Sequence, residues 1–159
     1  VLEQGTIPMN DVTEMVQIEA IRKLKYLYAH HLDMKNLDSL VSLFTDNAVC
    51  QFGANYGTWR GIEEIRAGYQ AEIDKVRGID YPFMHTLSTH WIELTAEGQA
   101  DGKWYLAEMI TDSNNIDTPL RFTGVYTDRY ERNEGKWKIA TTRLDFTWPV
   151  RDIASPESS

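Results

Sequence analysis

The pattern of apolar and polar positions changes period near the middle of the chain. From Val12, apolar residues recur at three- and four-residue steps (Ile18, Ile21, Leu24, Tyr28, Leu32), with Glu19, Arg22 and Lys23 off that stripe; this predicts an amphipathic helix. A second helix is expected over Leu37, Leu40, Val41 and Phe44, with Asn36 as N-cap and Asp38 in its first turn, broken by Thr45-Asp46-Asn47. Residues 48–52 (AVCQF) read as a short strand and Gly53 to Gly61 as a turn-rich loop. Ile62, Ile65, Tyr69 and Ile73 then predict a third helix ending near Gly78. Beyond it the β-rich runs MHTLSTHWIEL, KWYLAEMIT, RFTGVYTDRYER and KWKIATTRLDFTW follow, the last two joined by the hairpin signal NEGK.

Three helices followed by four long strands predict an α+β fold, with the helices packed on one face of a curved, mostly antiparallel sheet. Residues 1–12 are expected to form an arm and 13–148 the domain. The tail, 149–159, carries Pro149 and Pro156 and is expected to be extended, free to lie over a neighbouring subunit.

Charge narrows the partners. Sixteen basic against 24 acidic residues give a net charge of -8, which repels phosphate backbones and anionic lipid surfaces, so neither nucleic acid nor membrane is an expected partner. The N-terminus has no basic start followed by an apolar run, and no apolar segment approaches the ~18 residues of a membrane span. Cys50 is the lone cysteine, which excludes an intrachain disulfide and makes a reducing cytoplasm the simpler setting.

The glycine-rich nucleotide loops, the GxSxG elbow, HExxH and CxxC are all missing, so any chemistry must come from residues that the fold brings together. In WYLAEMI, alternation places Glu108 on one strand face with Trp104, Leu106 and Ile110. A buried carboxylate there is costly unless paired or neutral, so Glu108 is either paired or functional. Asp33 lies roughly 140° from Tyr28 on an ideal helix, so the two converge only if the helix ends near Leu32. Tyr28 sits within the apolar stripe, where a phenol needs a hydrogen-bond partner: it is either a satisfied core tyrosine or a donor pointing into a cavity.

His85 and His90, five apart in one strand, are expected on opposite faces, and His30 and His31 are adjacent; neither spacing suits a shared metal, so no metal and no cofactor is expected. His85 shares a face with Leu87, and a carboxylate partner would make it a general base near neutral pH. Phe52, Tyr56, Trp59 and Trp91 read mostly as core, with Tyr56 and Trp59 as candidates for a lid over a flat ligand. Cys50 reads as a small buried hydrophobe.

Several of these segments, namely IEAIRKLKYLYAHHLD, NLDSLVSLFTDNAV, MHTLSTHWIEL, GKWYLAEM and YTDRYERNEGKWKIATTR, together resemble the SnoaL-like branch of the nuclear transport factor 2-like superfamily over residues 14–148. That branch includes scytalone dehydratase, bile-acid dehydratase and lindane dehydrochlorinase. The resemblance implies a cone-shaped fold around an apolar pocket, and a homo-oligomer, trimeric or dimeric. It implies that Asp33 and His85 form a catalytic dyad, that Tyr28 is a pocket tyrosine, and that Glu108 takes the place of an acid in the bile-acid enzyme's strand. Phe52, Tyr56, Trp59, Leu106 and Phe146 are then the expected substrate contacts. A second pocket tyrosine of that enzyme corresponds to Phe52, and the family's C-terminal-strand arginine falls at Thr142 or Phe146, leaving Arg143 on the opposite face and Arg121 unassigned.

The implied activity is that of a cofactor-independent lyase acting on an apolar cyclic or aromatic hydroxylated small molecule, by dehydration, a related elimination or retro-aldol cleavage. An isomerase or cyclase of ketosteroid-isomerase type needs the same groups. The alternative from another class is a non-catalytic small subunit of a ring-hydroxylating oxygenase, or a ligand-binding module.

Overall fold

A computed structural model of the chain describes residues 9–111 and 117–153. The order is α1 (Met9–Asp33), α2 (Leu37–Val41), β1 (Phe44–Gln51), α3 (Gly53–Tyr56), β2 (Thr58–Arg60), α4 (Gly61–Lys75), β3 (Phe83–Ala96), β4 (Gln99–Ile110), β5 (Leu120–Asn133) and β6 (Lys136–Trp148). One curved, unclosed sheet runs β2-β1-β6-β5-β4-β3. Its neighbours are antiparallel except β1 and β6, which are parallel.

α1 buries Ile21, Leu24, Tyr28 and Leu32, the expected stripe, against the inner face of the sheet. It begins at Met9, ahead of Val12, so residues 9–12 belong to the helix; residues 1–8 of the expected arm lie outside the described residues. Lys35, in the left-handed region at φ 57°, terminates α1, and the Asn36 side chain then accepts from the Ser39 N–H to cap α2. The chain therefore turns directly after Asp33.

The Phe44–Asn47 segment departs from expectation. α2 stops at Val41, and Phe44, Thr45, Asp46 and Asn47 already belong to β1, because Phe44 pairs with Ile139 of β6 rather than extending the helix. The predicted loop from Gly53 to Gly61 holds a single helical turn and the edge strand β2, which places Cys50 opposite Trp59. At the NEGK hairpin, Glu134 and Gly135 both have positive φ (50° and 80°) between the paired Asn133 and Lys136, the backbone that a two-residue primed turn requires.

β3 carries a bulge. Ser88 pairs with Tyr105 but Trp91 with Lys103, so β3 holds one extra residue there, and Thr89 sits at φ 44°. Side-chain parity flips across it. His90 consequently lies on the inner face, stacked on Trp104 with ring centroids 4.8 Å apart and accepting from Arg22 Nε at 3.1 Å, instead of facing away from His85 as strict alternation requires. Trp91 turns outward and is 51% exposed, not part of the core.

The tail folds back on its own chain as far as it is described. Asp152 pairs its backbone with Phe146, and its Oδ2 accepts from the Ala54 N–H at 2.7 Å. Residues 154–159 lie outside the described residues.

Candidate functional site

Between α1, α4 and the inner face of the sheet lies a chamber. Its walls are Tyr28 and Leu32 of α1, Phe52, Tyr56 and Trp59, Tyr69 and Glu72 of α4, and Phe83, His85, Glu108, Ile110, Phe122, Tyr126, Leu144 and Phe146 of the long strands. The space, mouth included, is about 480 Å³. A dry cavity of about 150 Å³ accommodates benzene, but the larger volume here includes open solvent at the mouth, so a ring-sized ligand would need the rim side chains to move. Tyr56, stacked on Phe146 at 6.0 Å, and Trp59, packed edge-on against Phe52 at 5.1 Å, form much of that rim.

Three ionisable groups distant in sequence meet at one wall. The turn after α1 aims Asp33 at the start of β3, where its carboxylate accepts the His85 backbone N–H (3.3 and 3.2 Å) and lies 2.6 Å from His85 Nδ1. A carboxylate only accepts, so Nδ1 carries a proton toward Asp33 and Nε2 faces the other way. Sheet register sets what it meets: His85 pairs directly with Glu108 across β3 and β4, and Nε2 lies 3.3 Å from Glu108 Oε1. The imidazole is 3% exposed and Glu108 7%, whereas Asp33 is 15% exposed and borders a groove behind the histidine.

The electrostatics make Glu108 and His85 joint owners of a proton. Burial pushes the Glu108 carboxyl up to about 7; the His85 charge opposes this, and Asp33 and Glu72 reinforce it. For His85, burial disfavours the imidazolium, but Glu108 and Asp33 together outweigh it and the net shift is upward. At 3.3 Å the two groups are placed to share a proton, as neutral imidazole with carboxylic acid or as imidazolium with carboxylate.

Opposite stands a row of phenols. Tyr69 donates to the Tyr28 hydroxyl at 3.1 Å, and the Tyr28 and Tyr126 hydroxyls are 3.3 Å apart. Tyr28 packs edge-on to His85, with centroids 6.4 Å apart. Burial, first among the causes, holds all three phenols well above their ordinary range, so they stay protonated and able to donate. Tyr28 is thus both a satisfied core tyrosine and a wall of the chamber.

Of the residues singled out from sequence, Asp33, His85, Glu108 and Tyr28 converge, and Phe52, Tyr56, Trp59 and Phe146 line the chamber. Leu106 is buried on the same strand face without lining it. Arg143 pairs with Asp145 at 3.0 Å and Arg121 borders a groove on the outer face; neither lines the chamber, while Phe146 does and Thr142 is buried against Asp128. Tyr69, Tyr126 and Glu72 are wall residues that sequence reasoning did not assign to a site. Tyr126 had a signal, since Phe122, Tyr126 and Tyr130 share parity in RFTGVYTDRYER. Cys50 is fully buried, and burial pushes its thiol far up. Among the described residues, no helix is long and apolar enough to cross a membrane and no group of acidic, histidine or cysteine side chains is arranged to hold a metal ion.

Residues 13–143 match a family model described as a SnoaL-like domain. The fold is similar to that of a candidate scytalone dehydratase from Novosphingobium aromaticivorans (TM-score 0.79, 22% identity, 95% of this chain and 99% of that one). A hexachlorocyclohexane dehydrochlorinase, LinA type 3, from Novosphingobium barchaimii is similar as well (TM-score 0.70, 18% identity, 91% and 99%). So is a candidate aromatic ring hydroxylase from Novosphingobium aromaticivorans (TM-score 0.71, 22% identity, 91% and 94%).

Proposed function

Because the chain belongs to the SnoaL-like domain family, with the fold of nuclear transport factor 2-like proteins, we propose that it is a cofactor-independent lyase that removes water from an apolar, cyclic hydroxylated small molecule. The single observation that carries this reading is the Asp33–His85–Glu108 chain, with both His85 nitrogens engaged by carboxylates at the wall of an aromatic-lined chamber. Similar proteins described as a dehydratase and a dehydrochlorinase support an elimination.

In the starting state His85 is neutral and Glu108 protonated. His85 Nε2 takes a proton from the carbon next to a ring carbonyl, Asp33 holds the ring and stabilises the imidazolium, and the phenols donate to the carbonyl oxygen as it gains charge. The C–O bond then breaks, Glu108 gives its proton to the departing hydroxyl, and water leaves. Imidazolium and carboxylate, 3.3 Å apart, then exchange the proton and restore the starting state without solvent.

A panel of hydroxylated aromatic and alicyclic ketones, assayed by mass spectrometry for loss of water, tests the reading. His85→Ala and Asp33→Asn are expected to lower kcat by ~10²–10⁴ in protein that still unfolds cooperatively. Retained turnover in either folded variant would end the proposed mechanism.

A second reading is a non-catalytic subunit of an aromatic-ring-hydroxylating oxygenase; the fold is similar to that of a candidate aromatic ring hydroxylase, although that description does not itself name a non-catalytic role. Copurification only with a large iron-containing partner would favour that second reading.

A further inference from the structure

Beneath the phenol row lies a charge pair that the proposed reaction does not use. Lys25 of α1 and Asp128 of β5 are both 0% exposed, with Nζ 2.8 Å from Oδ2. Asp128 also accepts from Thr142 Oγ1 and from the Tyr130 hydroxyl, each at 2.6 Å, and Trp104 Nε1 donates in turn to Tyr130 at 2.9 Å. The carboxylate is thus anchored from β6 and β5 on the side away from the chamber. The ammonium has three protons and one carboxylate partner. Its remaining faces meet two aromatic rings: Nζ lies 3.7 Å from the Tyr126 centroid and 4.5 Å from that of Tyr28. Those two phenols line the chamber.

Desolvating two ions costs several kcal/mol each, and an apolar pair of similar size is often at least as stable. Stability alone therefore does not account for a lysine here. Its orientation does suggest a use. Among the described residues, the chamber lining contains Glu108, Glu72 and His85 but neither lysine nor arginine. Lys25 Nζ, against the Tyr126 and Tyr28 rings, is thus a source of positive potential beside those phenols, partly offset at Tyr126 by the charge of Asp128.

We propose that Lys25 is a positioning residue for the oxygen-binding side of the chamber: its ammonium, clamped by Asp128 under the Tyr126 and Tyr28 rings, makes their hydroxyls stronger donors to an anionic ligand oxygen. The inference rests on the lyase reading for its purpose, but not for its test. A cation against the ring faces stabilises negative charge on the phenol oxygen and so on whatever that hydroxyl binds. The groups facing Lys25 are Asp128 and Tyr126 from β5, Tyr28 from its own helix, and the Cys50 thiol from β1. Of these only Asp128 is a carboxylic acid, and Thr142 and Tyr130 donate to it as well. Burial lowers the Lys25 pKa and Asp128 opposes this, so the pair acts as a unit.

The test uses 4-nitrophenol, whose phenolate absorbs in the visible, titrated into the purified full chain across pH. In the wild type the bound probe is expected to ionise more readily than free probe. Lys25→Met/Asp128→Asn removes both charges and should lower the ionisation constant of the bound probe roughly 2–5-fold, less than an isolated opposite charge produces because the paired carboxylate cancels part of the field; Lys25→Met/Asp128→Leu repeats the measurement should the first pair fail to fold. In a Tyr28→Phe/Tyr126→Phe background the same charge removal should have no further effect, which a merely structural pair would not predict. A folded pair variant with unchanged probe ionisation overturns the proposal. So does an equal drop without the two hydroxyls, or a wild type that takes the probe only as the neutral phenol. The readout is binding, so a failed search for lyase turnover leaves it standing, and its own failure leaves the lyase reading intact.

Discussion

Replacing Glu108 with Gln removes one titrating group from the wall while keeping its volume and a hydrogen-bond donor for His85. The carboxyl titrates at about 7 instead of 4.5 because it is buried. A raised pKa means that the native state binds the proton more tightly than the unfolded chain does, so folding takes up a proton between those values. The associated stability is full below pH 4.5 and is lost as pH rises through 7. At about 1.4 kcal/mol per tenfold change, the whole effect is ~3 kcal/mol, and roughly 2–3 kcal/mol of it falls between pH 5 and 8. His85, whose pKa is also raised, adds in the same direction. Since Glu108 is the main charge raising it, the substitution weakens that contribution too. Urea denaturation of wild type and Glu108→Gln at several pH values checks this: the wild-type curve should fall with rising pH by at least ~2 kcal/mol more than that of the variant. Parallel curves would refute the placement of a shared proton at this wall.

Two further outcomes follow from packing. Gly68 of α4 lies under Trp59, and a Cβ there would approach the indole to 2.4–2.6 Å; Gly68→Ala should therefore displace the indole and, despite a helix-propensity gain of ~1 kcal/mol, cost a net ~1 kcal/mol through overpacking, read as a lower Tm with altered tryptophan fluorescence. Lys25→Met alone strands the Asp128 carboxylate without its counterion and should cost ~3–5 kcal/mol in urea denaturation, whereas the double neutral replacements should recover most of that loss.

The period-based reading located α1, α4 and the four long strands because burial imposes those periods: Ile21, Leu24, Tyr28 and Leu32 are buried as the stripe requires, and Trp104, Leu106 and Glu108 share the inner face as alternation requires. It failed where pairing overrides local pattern. Phe44 continues the helical spacing of Leu37, Leu40 and Val41, yet its neighbours' backbone groups find strand partners in β6, ninety-odd residues later, which no local window contains. Asp33 and His85 were singled out together through family resemblance and Glu108 through strand alternation; that the three lie side by side depends on register, which is tertiary. Lys25 was legible in hindsight, since it falls four residues after Ile21 and three before Tyr28, squarely on the buried face. A lysine there reads as polar punctuation until Asp128, between Tyr126 and Tyr130 on inner-facing parity, is placed opposite it.

The extra residue at Thr89 has a consequence for how this strand can change over time. Upstream of it odd-numbered side chains face inward, downstream even-numbered ones do, so losing or gaining a single residue anywhere in the ribbon would invert one half relative to the other. Counting positions from His85 toward the hairpin therefore misassigns the side chains from His90 to Leu94, up to a second register shift between Leu94 and Ala96.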